Sequence, residues 1–374
     1  MKYYLIAGEA SGDLHASNLV KEIKLQDNKA MFRGWGGDLM QAQGVELVKH
    51  YKDIAFMGFV EVLFHLRDIF KNIDYCKKDL AAYKPDVLIL IDYPGFNLRI
   101  VEYANKIGLK VVYYISPQVW AWKESRVKKM KRTIHKMLVI LPFEKDFFKK
   151  HEWEVEFVGH PLLDAIQNIN NTSKESFYAV NNIDKKEIIA LIPGSRKQEI
   201  STMLPLMLSV VDSFKDFQFI IAGAPSIEAE YYQEYIKNSN IHIVYNQTYD
   251  LLQNATAALV TSGTATLETA LFQVPEVVCY KGNPISFWLA KNLVKVKYIS
   301  LANLIMDREI VKELIQADLN KQNLTKELQK LLFDNAYKIT LKSDYTNLKE
   351  KLGGEGASKK AALAIFDFIK ETNV

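Results

Sequence analysis

Apolar residues along the 374-residue chain fall into short runs separated by longer amphipathic stretches. In the first half, Lys2–Ala7, Asp86–Ile91, Lys110–Ile115, Lys136–Leu141 and Val155–Val158 are aliphatic, β-branched or aromatic and predict strands. Leu14–Lys24, Val60–Tyr83 and Leu98–Lys106 carry helical periodicity between them. The pattern restarts with Glu187–Ile192, Phe217–Ala222, Ile241–Tyr245, Ala257–Thr261 and Glu276–Tyr280. Strands alternating with helices imply an α/β fold with parallel sheets and crossover helices. Asn168–Asp184, polar and holding five Asn, breaks the periodicity and reads as a linker. The expected architecture is two Rossmann-like doubly wound domains, 1–167 and 168–356, facing across a cleft at the carboxyl ends of their strands. A closing segment, 357–374, follows the breaker Gly353-Gly354-Glu355-Gly356, and its helix Ala357–Lys370 is expected to pack back on the first domain.

Composition narrows the classes. Hydrophobic residues make up 49% and charged residues 25%, as in a folded globular protein. A net charge of +4 is too mild to argue for nucleic acid. Cys76 and Cys279, the two cysteines, stand far apart and supply neither a disulfide framework nor a Cys-rich metal site. The first apolar run is too short for a signal peptide and is followed at once by Glu9 and Asp13, and the chain holds no 18-residue uncharged apolar stretch. A reduced, cytosolic protein is expected.

Candidate chemistry gathers where predicted strands end. Gly8-Glu9-Ala10-Ser11-Gly12-Asp13 lies between a strand and a helix; it is neither a dinucleotide fingerprint nor a P-loop, and its plain reading is a turn with Asp13 as helix cap. Glu9 favours a functional reading, since a carboxylate in a cleft needs a partner or a task. Asp92, in Asp92-Tyr93-Pro94-Gly95-Phe96-Asn97, is carried to the sheet edge by an apolar strand and suits a general base; the plain alternative is a cap for the next helix. Ser116-Pro117-Gln118-Val119-Trp120-Ala121-Trp122 places two tryptophans that cannot share one buried helix face, so one lines a surface. Lys123–Lys136 follows, with seven Lys or Arg and one Glu, which fits a solvated helix face or contact with anionic headgroups or phosphate. Pro193-Gly194-Ser195-Arg196 combines a free turn, Ser195 as a cap, and Arg196 beside a helix N-terminus, an arrangement suited to a diphosphate. Ser262-Gly263-Thr264 repeats that device, and Glu268 one turn on would accept ribose hydroxyls or form a salt bridge within the helix. The apolar stretches Ile54–Leu63, with Met57 and Phe59, and Ile285–Leu301, with Phe287 and Trp288, read as core or as surfaces for hydrocarbon. No metal-ligand spacing, cofactor motif or Ser-His-Asp order emerges, and His160 in Gly159-His160-Pro161 reads as a hinge-side residue rather than a ligand.

Taken together these segments, with Met57-Gly58-Phe59-Val60-Glu61-Val62, Leu141-Pro142-Phe143-Glu144, Val158-Gly159-His160-Pro161, Phe287-Trp288-Leu289-Ala290-Lys291 and Asn303-Leu304, resemble the lipid-A-disaccharide synthases, inverting glycosyltransferases of the GT-B architecture, nearly end to end. One departure is Gly95, where that family often has Asp; it leaves Asp92 the better carboxylate. The resemblance implies transfer of a sugar from UDP-2,3-diacylglucosamine to 2,3-diacylglucosamine 1-phosphate, without a cofactor or metal. It implies peripheral attachment to the inner face of the inner membrane. Asp92 or Glu9 would act as base, and Gly194, Ser195, Arg196, Ser262, Gly263, Thr264, Glu268 and Asn303 would serve the UDP-sugar. Ser11, Met57, Phe59, Trp120, Trp122, Phe287 and Trp288 would meet the acceptor, its acyl chains or the membrane. A homodimer stays open. The competing readings are a UDP-N-acetylglucosamine 2-epimerase, a lipid-binding module without catalysis and, weakest, a nucleic-acid binder.

Overall fold

The predicted alternation takes form as two parallel sheets in a computed structural model, which describes residues 1–53, 66–167, 169, 172–236, 241–283, 287 and 296–371. The first sheet comprises β1 (Lys2–Ala7), β2 (Met31–Gly36), β3 (Glu46–His50), β4 (Val87–Ile91), β5 (Lys110–Tyr114), β6 (Lys136–Val139) and β7 (Glu156–Phe157), in the order β3-β2-β1-β4-β5-β6-β7. Its helices are α1 (Ala10–Gln26), α2 (Asp38–Ala42), α3 (Leu66–Tyr83), α4 (Pro94–Lys106), α5 (Val119–Trp122), α6 (Val127–Thr133), α7 (Pro142–Lys149) and α8 (Leu162–Gln167). Every residue of β4 is buried, as expected of a strand covered by helices on both faces. Strand order reverses between β1 and β4, the point at which open α/β sheets hold their ligands. There Ala7 pairs with Ile91, so the turns beginning at Gly8 and Asp92 leave the sheet side by side.

The second sheet has the same winding. It contains β8 (Glu187–Ile192), β9 (Phe217–Gly223), β10 (Ile241–Tyr245), β11 (Ala255–Thr261), β12 (Glu276–Tyr280) and β13 (Lys312–Ile315), ordered β10-β9-β8-β11-β12-β13. Its helices are α9 (Lys174–Asn181), α10 (Lys197–Leu208), α11 (Ala229–Gln233), α12 (Thr248–Asn254), α13 (Thr264–Leu271), α14 (Leu301–Met306), α15 (Lys321–Phe333) and α16 (Asn335–Lys351). Here the reversal falls between β8 and β11, which deliver Pro193–Arg196 and Ser262–Thr264 to one edge. Contacts divide the chain into one unit of Met1–Ile166 with Leu352–Val374 and another of Gln167–Lys351. The last helix, α17 (Ala357–Glu371), packs on α1. Asp164 fixes its start by accepting the Gly356, Ala357 and Ser358 N–H groups at 2.7, 3.3 and 2.7 Å.

Three strands escape the hydrophobic pattern. β2 carries two glycines, and β3 and β13 are short and mixed in polarity, so neither period nor β-branching announces them. The polar stretch Asn168–Asp184 corrects in the other direction, because it contains α9. Ser173 caps that helix, its Oγ accepting the Ser176 N–H at 3.2 Å, and Phe177 and Tyr178 are buried.

Candidate active site

At the first sheet's reversal point the two turns interlock. Gly8 presses against Tyr93: a Cβ on Gly8 would meet that ring at 2.3 Å, so only glycine permits the approach. Asp92 and Tyr93 adopt φ of 45° and 48°, a left-handed pair that is costly for non-glycine residues and persists only where the surroundings impose it. The Tyr113 hydroxyl donates to the Asp92 carbonyl at 2.6 Å and the Asn97 amide donates to it at 2.7 Å, while the Asp92 N–H donates to the Tyr114 carbonyl at 3.2 Å. The carboxyl group is therefore aimed by its own strained backbone. Burial, and then the charge of Glu9, raise its pKa from 3.8 to about 6. Such a group is ionised at neutral pH yet basic enough to take a proton from a hydroxyl. The same two causes push the Tyr93 phenol up to about 12.

Glu9 is exposed and occupies the N-cap position of α1 without a side-chain capping bond; Ser11 is exposed in the first turn. Asp92 does not cap α4, whose N-cap is Tyr93. Nor does Asp13 cap its own helix. Its buried carboxylate accepts the Gly37, Leu39 and Met40 N–H groups at 2.8, 3.0 and 3.1 Å, and so caps α2.

A buried hub lies beyond this edge. Glu144, 1% exposed, accepts the Ile140 and Leu141 N–H groups at 3.2 and 2.9 Å, and the Ser116 hydroxyl and Trp120 indole face it. Burial lifts its pKa to about 7 against those donors. Trp120 is half-buried, with its ring edge-on to Phe143 at 4.9 Å. Trp122 is 53% exposed and carries the Lys123 ammonium 4.0 Å from its ring centre and the Arg126 guanidinium at 6.0 Å.

In the second unit the two turns at the sheet edge differ from one another. Ser195 does not cap α10. Glu199 does, accepting the Ser195 and Arg196 N–H groups at 3.0 and 3.3 Å and standing 3.8 Å from the Arg196 guanidinium. The left-handed Gly194, at φ 109°, makes room for that glutamate. An anion at this turn would meet the exposed Arg196 side chain, since Glu199 already occupies those amides. The α13 turn is more open: Gly263 and Thr264 are exposed, and a Cβ on Gly263 would touch nothing within 4 Å. Its helix N-terminus suits an anion. Among the described residues Glu268 forms no ion pair; it accepts the Tyr249 hydroxyl at 3.2 Å, and burial raises its pKa.

Asn303 is fully buried in α14 instead of lining an open face. It accepts the Ile310 and Val311 N–H groups at 2.7 and 3.0 Å and donates to the Val311 carbonyl and to Glu313 Oε1, both at 2.9 Å. Glu313 also accepts the Ile299 and Ser300 N–H groups at 3.0 and 2.9 Å, and the Ile299 carbonyl accepts the Ser262 hydroxyl at 3.1 Å. Asn303 thus reaches the Ser262 turn through Glu313, a residue that no sequence motif singled out.

Phe287 is half-buried and lies 6.1 Å from the Tyr280 ring; Met57, Phe59 and Trp288 lie outside the described residues. His160 is buried, its Nδ1 accepts the Leu162 N–H at 3.2 Å, and its backbone N–H donates to the Leu352 carbonyl at 3.0 Å where the chain returns to the first unit. Among the described residues no group of three His, Cys, Asp or Glu could hold a metal ion, and no helix is long and apolar enough to cross a membrane.

Comparison with known proteins agrees with this architecture. A family profile described as lipid-A-disaccharide synthetase matches residues 3–366. A lipid-A-disaccharide synthase of Trichlorobacter lovleyi is 37% identical over 374 residues, covering 98% of this chain and 97% of that protein. Its Geobacter metallireducens counterpart is 37% identical over 371 residues, covering 98% and 96%. Among solved structures, the UDP-GlcNAc 2-epimerase of Neisseria meningitidis bound to UDP-GlcNAc matches with a TM-score of 0.69 at 12% identity, over 98% of this chain and 100% of that one. The calicheamicin glycosyltransferase matches with 0.61 at 14% identity, over 99% and 98%. At such low identity these structures speak for the fold, the two Rossmann-like halves of the GT-B class. Profile and relatives span the chain from end to end, and the chain belongs to the lipid-A-disaccharide synthases, glycosyltransferases of lipid A biosynthesis.

Proposed function

We propose that the chain transfers 2,3-diacylglucosamine from its UDP derivative to the 6-hydroxyl of 2,3-diacylglucosamine 1-phosphate, giving the β-1,6-linked disaccharide 1-phosphate and UDP. Asp92 carries the reading: a half-buried carboxyl group on strained backbone, with its pKa raised to about 6, at the carboxyl edge of a Rossmann-like sheet. Asp92 takes the hydroxyl proton while that oxygen bonds the donor's anomeric carbon and the carbon–oxygen bond to UDP breaks, its electron pair going to the diphosphate. Attack opposite the leaving group inverts the centre. Glu9 orients the acceptor and keeps Asp92 basic. The residues at the β8 and β11 ends serve the donor. Arg196 and the α13 N-terminus stabilise charge developing on the diphosphate, and Glu268, already hydrogen-bonded to a hydroxyl, accepts those of the ribose.

The acyl groups of both substrates place the reaction at the cytoplasmic surface of the inner membrane. Exposed Trp122 with the Lys123 ammonium over its ring supports contact with anionic headgroups there. The test is an assay in detergent micelles, with EDTA, of UDP release and of disaccharide by mass spectrometry. Disaccharide from wild type, lost in Asp92→Asn with UDP affinity retained, supports the assignment. Wild-type turnover by Asp92→Asn removes Asp92 as base. UDP binding without disaccharide moves the reading to another UDP-sugar reaction, the 2-epimerase first, whose fold the chain shares.

A further inference from the structure

Beside the Asp92 turn the described surface opens into a groove of about 230 Å³ between α4 and α6. Both helices start at the carboxyl edge of the sheet, after β4 and β5, so the end of the groove at Gly95 and Arg126 lies on the catalytic side. Leu98 and Met130 give it an apolar floor; Arg99, Arg126 and Lys129 supply positive charge against a single carboxylate, Glu102. That carboxylate is engaged by the Lys129 ammonium. Among the described residues neither Arg99 nor Arg126 forms an ion pair with a carboxylate. Arg99 donates to the Gly95 carbonyl at 2.8 Å and lies 5.9 Å from the Phe70 ring; Arg126 rests against Trp122.

From this we infer that the α4–α6 groove is the binding site for the phosphomonoester of the acceptor, with Arg126 as its principal ligand and Arg99 in support. The inference rests on the transferase reading and extends it to the acceptor's charged end. A phosphomonoester carries about −1.5 to −2 charges at pH 7, and two guanidinium groups with no carboxylate partner among the described residues match that charge with geometry that suits its oxygens. The apolar floor suits a ligand whose phosphate is joined to an acylated sugar. A bulk anion would be satisfied by charge alone.

The test compares wild type, Arg126→Ala, Arg126→Lys and Arg99→Ala on two acceptors, 2,3-diacylglucosamine 1-phosphate and the same lipid without its phosphate. The expected result is a rise in KM for the phosphorylated acceptor of ~10- to 100-fold in Arg126→Ala, the loss of one charge-assisted hydrogen-bonding group. Its KM for the phosphate-free acceptor and for the donor stays unchanged, Arg126→Lys recovers part of the loss, and Arg99→Ala shows a smaller one. An equal loss on both acceptors overturns the site, as does a loss confined to the donor KM. Direct binding of the phosphorylated lipid, with inorganic phosphate and vesicles containing anionic phospholipid as competitors, separates the sources of phosphate. Competition by vesicles alone, with no preference between the two acceptors, assigns the groove to the membrane and overturns the proposal. Phosphate-dependent binding by wild type without disaccharide formation leaves the groove standing while the transferase reading fails.

Discussion

Asp92→Asn should inactivate the enzyme and stabilise the fold at the same time. The rise of the Asp92 pKa from 3.8 to about 6 corresponds to at most ~3 kcal/mol by which the folded chain disfavours the ionised carboxylate. The folded state holds this proton more tightly than the unfolded chain does. The cost is therefore absent below the ordinary carboxyl pKa, grows as pH rises towards 6, and is constant above it. Asparagine removes the charge, keeps the shape and tolerates φ of 45°. Its melting temperature should exceed that of wild type at pH 8, and the difference should shrink towards zero near pH 4. Over the same range kcat should fall by ~10²- to 10⁴-fold, the usual weight of a general base. In wild type the acid limb of kcat/KM should bend near pH 6, and Glu9→Gln should move it to lower pH without reaching the ordinary Asp value, because burial is the larger cause. Scanning calorimetry across pH, with UDP release assayed over the same range, checks both halves. A variant no more stable than wild type at pH 8, or a gain that persists at pH 4, refutes the reasoning about burial.

Three further substitutions address the supports of the site. Glu313→Ala removes the acceptor of the Ile299 and Ser300 N–H groups and one of the two acceptors of the Asn303 amide, so UDP affinity should drop by about tenfold by calorimetric titration; unchanged affinity would detach this network from the Ser262 turn. Gly8→Ala drives a methyl group into the Tyr93 ring and should cost ~1–3 kcal/mol of stability together with kcat, and a variant with wild-type kcat would show the interlock to be dispensable. Glu144→Ala leaves the Ile140 and Leu141 amides unpaired and should shift tryptophan emission to the red as Trp120 loosens, whereas an unchanged spectrum contradicts its role as hub.

Much of this was legible along the chain. Lys2–Ala7, Glu187–Ile192 and Glu276–Tyr280 form strands at the bounds their apolar runs predict, because a strand buried on both faces is apolar nearly throughout, and the edge strand Ile241–Tyr245, half-exposed, matches through its β-branched residues. The positions of Glu9, Asp92, Arg196 and Ser262 at strand ends followed from those runs, since a parallel sheet delivers its loops to one edge. The sequence was silent on strands whose environment supplies their order: β2 with its glycines, and the short β3 and β13, are held by neighbouring strands. Polar composition concealed α9 for the same reason, its stability coming from the burial of Phe177 and Tyr178.

Side-chain partners were the larger gap. Local spacing offered Asp13 and Ser195 as caps for their own helices, but Asp13 caps α2 across the fold and Glu199 takes the amides beside Ser195. A carboxylate will satisfy whichever unpaired N–H groups the fold brings nearest, and those are set by packing. Asn303 and Glu313 acquire meaning only together, ten residues apart in sequence and 2.9 Å apart in space. The chain order alone determined two α/β halves and the edge residues that can carry charge. Which carboxylate is strained, desolvated and aimed for chemistry was decided by tertiary structure, because desolvation and left-handed backbone are imposed by neighbours that the linear pattern does not reveal.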